Sequence, residues 1–237
     1  APILSGARLV DCEASGARFI RARLDHTDLS GMQALGASFQ AAQGEATQLR
    51  AVSLAGACLR DLQLTAAELS EADLSTAELA GTVFQRCDLT DADLEAALGT
   101  GCHFESCRIG GLRAEGADLR RASFIAADGD DPIFSAADLR EASFSAARLP
   151  GADFSGANLT GARLSGCTLR GARFSQSNLQ AARLLHSDCF EASFEAANLQ
   201  QCDGTGSSFY GAEFLDAKTS DFHGSARDLT KTKLAAT

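Results

Sequence analysis

Acidic side chains are concentrated in one short window of the sequence, residues 61–105. The window holds ten Asp and Glu against a single Arg, Arg86, and so carries −9 of the formal net charge of −10. This density of one sign favours a protein partner with a basic surface; the alternative is a solvated belt that keeps the protein soluble. The acidic pI of about 4.8 argues against direct binding to nucleic acid, whose phosphates require Lys and Arg.

A second acidic cluster consists of Asp128, Asp130 and Asp131, directly before Pro132. We expect a bulge or short loop near residues 127–133, either a binding protrusion or a tolerated defect. The candidate partner-binding residues are therefore Glu68, Asp73, Glu78, Asp88, Asp91, Asp93, Asp128, Asp130 and Asp131.

The eight cysteines and four histidines do not form a recognisable catalytic or metal-binding motif. No CxxC pair is present, so a zinc site is not expected. Histidines 26, 103, 186 and 223 are scattered, which argues against a catalytic triad, and no GxxxxGK[ST] phosphate loop occurs. The sequence predicts a non-enzymatic protein without cofactor or metal, whose thiols stay reduced in a cytoplasmic setting. A disulfide between Cys87 and Cys107 is the weaker alternative.

A five-residue repeat positions all of these side chains. Of the 47 positions 4, 9, 14 and onward to 234, 37 are Leu, Phe or Ile. Ala or Cys usually stands two residues before each such centre, and Gly often stands two residues after it. Six of the eight Cys occupy the small site and should point inward with the centres: Cys12, Cys87, Cys102, Cys107, Cys167 and Cys202. Cys58 alone should point outward.

A period of five matches neither a helix nor a flat strand. Five residues turn an α-helix by about 140°, so the apolar row would wind around it. On a flat strand successive centres would face opposite sides. Both conflicts disappear if the chain turns a corner every five residues and stacks its coils as a solenoid.

The phenylalanines indicate four sides per coil. Phe84, Phe104, Phe124 and Phe144 are 20 residues apart, and a second row with the same spacing falls on the opposite side of a four-sided coil: Phe134, Phe154, Phe174, Phe194 and Phe214. About twelve coils, each rising about 4.8 Å, would form a rod roughly 55 to 60 Å long.

Runs such as Ala152-Asp153-Phe154-Ser155-Gly156 and Ala157-Asn158-Leu159-Thr160-Gly161 resemble the pentapeptide-repeat family, with its consensus A-[D/N]-L-x-x. The resemblance covers essentially the whole chain and implies an all-β fold, a right-handed quadrilateral parallel β-helix. We expect one domain, with regular repeats over residues 1–202 and degenerate last coils with a C-terminal cap over 203–237. The uncapped apolar start at Leu4 and Leu9 favours a chain that belongs to a longer bacterial protein.

Two functions remain open. The first is a rigid scaffold or adaptor that binds another protein through a side face. The second follows from a family branch that resembles duplex DNA and protects DNA gyrase from inhibitors. Because the acids are confined to one belt, we favour the scaffold. We expect a monomer, or a homodimer through the C-terminal end, in the cytoplasm. No apolar run is long enough for a membrane span.

Overall fold

The computed structural model describes residues 2–224, which form a four-sided parallel β-helix. Four short strands build its continuous sheet in the order β1 (Gln43–Glu45), β2 (Gln63–Thr65), β3 (Val83–Gln85) and β4 (His103–Glu105). Each pairs with the next in parallel at an offset of 20 residues. Single-residue parallel bridges at the same offset continue the pairing on all sides, from Ile3–Arg23 to Asp203–His223.

We number the four faces by their outward bridge residues. Face 1 contains residues 3, 23, 43 and so on to 223; face 2 begins at residue 8, face 3 at residue 13 and face 4 at residue 18. The twelve stacked positions of face 1 agree with the predicted number of coils. The offset never changes, so two residues 20 apart lie directly above one another.

The core consists mainly of Leu and Ala and contains the two predicted phenylalanine rows. Rings within a row stack almost parallel; those of Phe124 and Phe144 have centroids 4.8 Å apart and planes 4° apart. Rings of opposite rows meet edge to face, as Phe134 and Phe144 do at 5.5 Å and 81°. Both arrangements suit the charge distribution of aromatic rings, and the small residues between the centres let the four walls approach closely.

Several small inward sites hold a hydroxyl or thiol that is buried and still hydrogen-bonded. Each donates to the carbonyl oxygen of the residue 23 positions earlier, as Thr47 Oγ1 does to Leu24 at 2.9 Å. Because a buried donor with a partner costs little, Thr, Ser and Cys can replace Ala here. The residues are Thr27, Thr47, Thr82, Cys87, Cys107, Cys167, Ser187 and Ser207.

The expected bulge near 127–133 is absent from this part of the described chain. Asp128 pairs with the coils on both sides, and so does Ile133, at the usual offset of 20. The centre here is Gly129, where an added Cβ would lie 2.2 Å from the backbone nitrogen of Gly110. Because Gly129 has no side chain, the backbone of Gly110 lies directly against it, and the surface here shows a depression of about 400 Å³ where we expected a bulge.

The regular coils continue beyond residue 202 to His223. At the centre Gly204, an added Cβ would lie 2.9 Å from the ring of Phe209 and 3.1 Å from that of Phe222. These rings fill the volume that a Leu or Phe centre would occupy, which explains why a degenerate repeat keeps the fold. The predicted C-terminal cap falls mainly on residues 225–237, outside the described residues.

Candidate protein-interaction surface

The coil geometry brings six acidic residues together on two adjacent faces. Glu68 and Asp88 are bridge partners on face 2, and Asp73 and Asp93 are bridge partners on face 3. Glu71 and Asp91 occupy the corner between these faces, also 20 residues apart. We call these six residues the acidic patch. It spans two coils and contains five of the predicted partner-binding residues: Glu68, Asp73, Asp88, Asp91 and Asp93.

The three Asp carboxylates on the faces accept hydrogen bonds from their own turns. Asp73 Oδ1 accepts hydrogen bonds from the backbone nitrogen and hydroxyl of Ser75, at 3.0 and 2.6 Å. Asp88 Oδ1 accepts the same pair of bonds from Thr90, at 3.0 and 2.5 Å. Asp-x-Ser/Thr turns of this kind fix the side-chain direction, so the patch presents its charges in a defined arrangement.

Arginines border the acidic patch at both ends. Arg108 Nη1 lies 3.1 Å from Asp88 Oδ2, and Arg113 lies 3.6 Å from a carboxylate oxygen of Asp93. In the preceding coils, Arg50 Nη2 lies 2.8 Å from Glu71 Oε1. These ion pairs are at the surface, where each contributes roughly 0–1 kcal/mol to stability. Their main effect is to limit the negative region to about two coils.

The structure separates the other four predicted residues from the patch. Glu78 lies on face 4, where its Oε2 accepts a hydrogen bond from Arg60 at 2.8 Å. Asp128 lies on face 2 beyond Arg108, and its Oδ1 is 3.9 Å from Arg148. Asp130 borders the depression beside Gly129, as does Asp128, and Asp131 occupies the corner position that follows. The predicted belt is therefore one compact patch with separate outlying acids.

A row of paired charges on face 4 was not predicted from the repeat pattern. Asp118 accepts hydrogen bonds from Arg120, and Asp138 from Arg140, with contacts as short as 2.6 Å. These bonds lower the pKa of both carboxyls below the usual value. The sequence contains the pairs as two Asp-Leu-Arg triplets. In each triplet the Asp is the bridge residue, the Leu is the centre and the Arg stands at the following corner, so the Asp and Arg side chains lie close together. This row is nearly neutral and does not extend the patch.

Six of the eight cysteines are buried. Cys167 and Cys202 are buried, and burial raises the pKa of each thiol to about 12. Cys87 and Cys107 are free thiols on adjacent coils. Cys12 occupies the small site of the repeat but is exposed, because its coil is the first of the described stack and no described coil covers it.

Within residues 2–224, no group of three or more His, Cys, Asp or Glu is arranged to hold a metal ion. The same described residues contain no helix long and apolar enough to cross a membrane.

Comparison with known proteins supports the repeat assignment. The family model for pentapeptide repeats matches residues 3–40, 57–95, 133–176, 157–188 and 187–218, as eight copies. The chain belongs to the pentapeptide repeat family. Proteins of this family form right-handed quadrilateral β-helices, so the predicted fold class is confirmed.

Solved structures of other pentapeptide repeat proteins resemble this chain. A thylakoid lumen protein from Arabidopsis thaliana is 35% identical over 42% of this chain and 66% of its own, with a TM-score of 0.33. HetL, which is involved in heterocyst differentiation regulation in the cyanobacterium Nostoc sp. strain PCC 7120, is 25% identical over 93% of this chain and 87% of its own, with a TM-score of 0.27. Full-length QnrB1, a plasmid-mediated fluoroquinolone resistance protein, is 20% identical over 97% and 94%, with a TM-score of 0.40. No curated protein sequence matched the chain.

Proposed function

We propose that this pentapeptide repeat protein is a non-enzymatic, rigid scaffold that binds a protein with a basic surface through the acidic patch. The observation that carries the proposal is the stacking of Asp73 on Asp93 and of Glu68 on Asp88 in adjacent coils. Like charges placed directly opposite each other destabilise a sheet. A patch that repeats this arrangement on two faces sacrifices some stability, and a basic partner would relieve the repulsion.

The shape of the patch defines the partner. Two coils span about 10 Å along the rod, and arginines follow at both ends, so a long basic segment aligned with the rod would meet Arg108 and Arg113. A compact group of Lys and Arg residues, or a basic segment that crosses faces 2 and 3, fits the charge pattern better. Because these carboxylates are partly exposed, the association should weaken as salt screens them.

Mimicry of DNA at gyrase is the second candidate function. It would favour negative charge that follows the rod over many coils, whereas here arginines separate the patch from Asp128, Asp130 and Asp131. The charge pattern therefore favours the scaffold, and the same experiment distinguishes the two.

The test is affinity capture from bacterial lysate with three forms of the protein. The patch variant carries Glu68→Gln, Asp73→Asn, Asp88→Asn, Asp91→Asn and Asp93→Asn. The control variant removes five charges near the other end, with Glu191→Gln, Glu195→Gln, Glu213→Gln, Asp216→Asn and Asp221→Asn. We expect the native protein and the control to retain a partner that the patch variant loses, with affinity falling between 0.05 and 0.5 M salt on the order of tenfold or more.

The identity of the captured protein decides between the two functions. If gyrase subunits are captured and the protein inhibits supercoiling in a patch-dependent way, DNA mimicry would replace the scaffold as the proposed function. Equal capture by all three forms, or capture of no protein by the native form, would refute the patch as the binding surface.

A further inference from the structure

A second surface, on face 1, has the features of a binding groove. Its floor is formed by the short side chains Ser123 and Ser143 on adjacent coils, between longer side chains at the two flanking corners. His103 closes one end and Arg163 the other. We call this depression of about 550 Å³ the serine groove. It lies on a different face from the acidic patch.

The floor contains an unsatisfied hydroxyl. Ser123 is only 7% exposed, and its Oγ has no hydrogen-bond partner in the described structure. The hydroxyl of Ser143 does have a partner, because its Oγ shares a hydrogen bond with Ser145 Oγ at 3.2 Å. Buried polar groups in native proteins almost always have a partner. Ser123 occupies an outward bridge position of face 1 and lines the groove, so a rotation of its covered hydroxyl would bring the Oγ to a ligand on the groove side.

The groove has opposite charges at its two ends. At one end, Glu105 Oε1 lies 3.5 Å from His103 Nδ1, and no Lys or Arg nitrogen of residues 2–224 lies within 4 Å of Glu105. At the other end, Arg163 stacks on Arg183, and neither has a described carboxylate within 4 Å. Along one wall, Arg121 Nε lies 2.9 Å from Glu141 Oε2, so that wall is neutral.

The length of the groove sets the size of its ligand. Glu105 and Arg163 are three coils apart, which is about 14 Å along the rod. An extended peptide advances about 3.3–3.6 Å per residue. Two side chains four residues apart in an extended segment would therefore reach both ends, while the peptide backbone between them crosses the serine floor.

We propose that the serine groove binds an extended segment of a partner protein, with a basic side chain at Glu105, an acidic side chain at Arg163 and a backbone group paired with Ser123. This surface is independent of the acidic patch, since the two use different faces and different chemistry. A ligand with a single sign of charge would satisfy one end and be repelled at the other.

Three synthetic peptides test the charge assignment: fluorescein-labelled Lys-Ser-Gly-Ser-Glu, Glu-Ser-Gly-Ser-Glu and Lys-Ser-Gly-Ser-Lys, all with blocked ends. Fluorescence polarisation with the full chain should show the mixed-charge peptide binding about threefold to tenfold more tightly than the other two, as expected for exposed ion pairs. Glu105→Arg should shift the preference to the diacidic peptide, and Arg163→Glu to the dibasic peptide.

Two further variants separate binding from folding. Ser123→Ala removes the unsatisfied hydroxyl. It should weaken binding of the mixed-charge peptide severalfold and leave the melting temperature unchanged. Glu45→Arg makes the same charge change as Glu105→Arg in the same corner column, three coils away, and should leave all three affinities unchanged. The proposal is overturned if the native protein binds none of the peptides at millimolar concentration, or if the charge reversals leave the preference unaltered.

Discussion

At the scale of single residues, the main conformational constraint in this protein is the backbone φ angle at the corners. Every fifth position from residue 6 to residue 221 has a φ between +51° and +74°. Only 16 of these 44 positions are Gly; the others include Ala, Asp and Glu. The left-handed region costs an ordinary residue about 1–2 kcal/mol. The non-glycine corners therefore store strain that the ladder and the core overcome.

A matched pair of substitutions in one corner column measures this strain. An added Cβ at Gly156 would have no atom closer than 4.0 Å, so Gly156→Ala should cost about 1 kcal/mol from backbone conformation alone. Ala136→Gly, one coil earlier, should relieve strain and stabilise by up to about 1 kcal/mol. Urea unfolding of both variants gives the two values. Equal destabilisation by both would show that the corners are not strained.

Burial predicts which thiols react. We expect N-ethylmaleimide at pH 7.5 to modify the exposed Cys12 and the half-buried Cys58 in the native protein. The other six should react only after unfolding, because they are buried; burial also raises the pKa of Cys167 and Cys202 to about 12, which keeps these two thiols neutral. Peptide mass spectrometry before and after denaturation identifies the modified sites. Modification of Cys167 in the native protein would contradict its buried position.

At the scale of the coil, stability depends on contacts between side chains 20 residues apart. The Phe144 ring stacks on Phe124 and meets Phe134 and Phe154 edge to face, with centroids 4.8 to 5.5 Å apart. Phe144→Ala should cost about 3–5 kcal/mol, because the rigid walls cannot close the cavity. Phe144→Leu should cost less than about 1.5 kcal/mol, since most centres are already Leu. Denaturant unfolding compares the two; similar losses would mean that ring volume is not what this core requires.

The Asp-Arg row on face 4 predicts a pH dependence. Hydrogen bonds from Arg120 and Arg140 lower the pKa of Asp118 and Asp138 in the folded protein. A lowered pKa stabilises the folded state above the unfolded value of 3.8, and this contribution is lost as pH falls through the folded value. The Asp118→Asn/Asp138→Asn variant should therefore be less stable than the native protein at pH 7 and differ less from it at pH 2–3. Thermal unfolding across this range is the measurement, and a constant difference would exclude the linkage.

How much the sequence could predict differs between the core and the surface. The 20-residue spacing of Phe and the repeat of small residues determine the number of sides and the inward row, because both follow from steric fit alone. The depression at Gly129 was missed because it depends on the close approach of the Gly110 backbone to Gly129, which the repeat pattern does not reveal. Likewise, spacing predicted the stacking of Asp73 on Asp93 but not the arginines at the patch borders, since their side chains reach across coils.

At the scale of the whole molecule, the rod is a one-dimensional array in which each coil contacts only its neighbours. Stability in such arrays is close to a sum of coil and interface terms, so a local repulsion weakens a few coils and is not shared by the rest. The acidic patch concentrates repulsion in the coils of residues 68–93. The stability of those coils should therefore increase most when the charge is removed or screened.

The substitution Asp73→Asn isolates this repulsion. Asn158, the bridge residue of another repeat, accepts hydrogen bonds through Oδ1 from the nitrogen and hydroxyl of Thr160, at 3.2 and 2.7 Å. An amide at position 73 can therefore keep both bonds to Ser75 while it loses the charge that faces Asp93. We expect a stabilisation of about 0.2–1 kcal/mol in 20 mM salt, or a melting temperature higher by about 1–3 °C.

Salt dependence separates this electrostatic effect from a change in packing. At 0.5 M salt the charges are screened, so the gain from Asp73→Asn should disappear. The control Asp118→Asn removes an attractive pair with Arg120 and should lower the melting temperature at low salt. If Asp73→Asn destabilised the rod, or if its effect persisted at high salt, repulsion within the patch would be negligible. The patch would then be an ordinary solvated surface with no stability given up for binding.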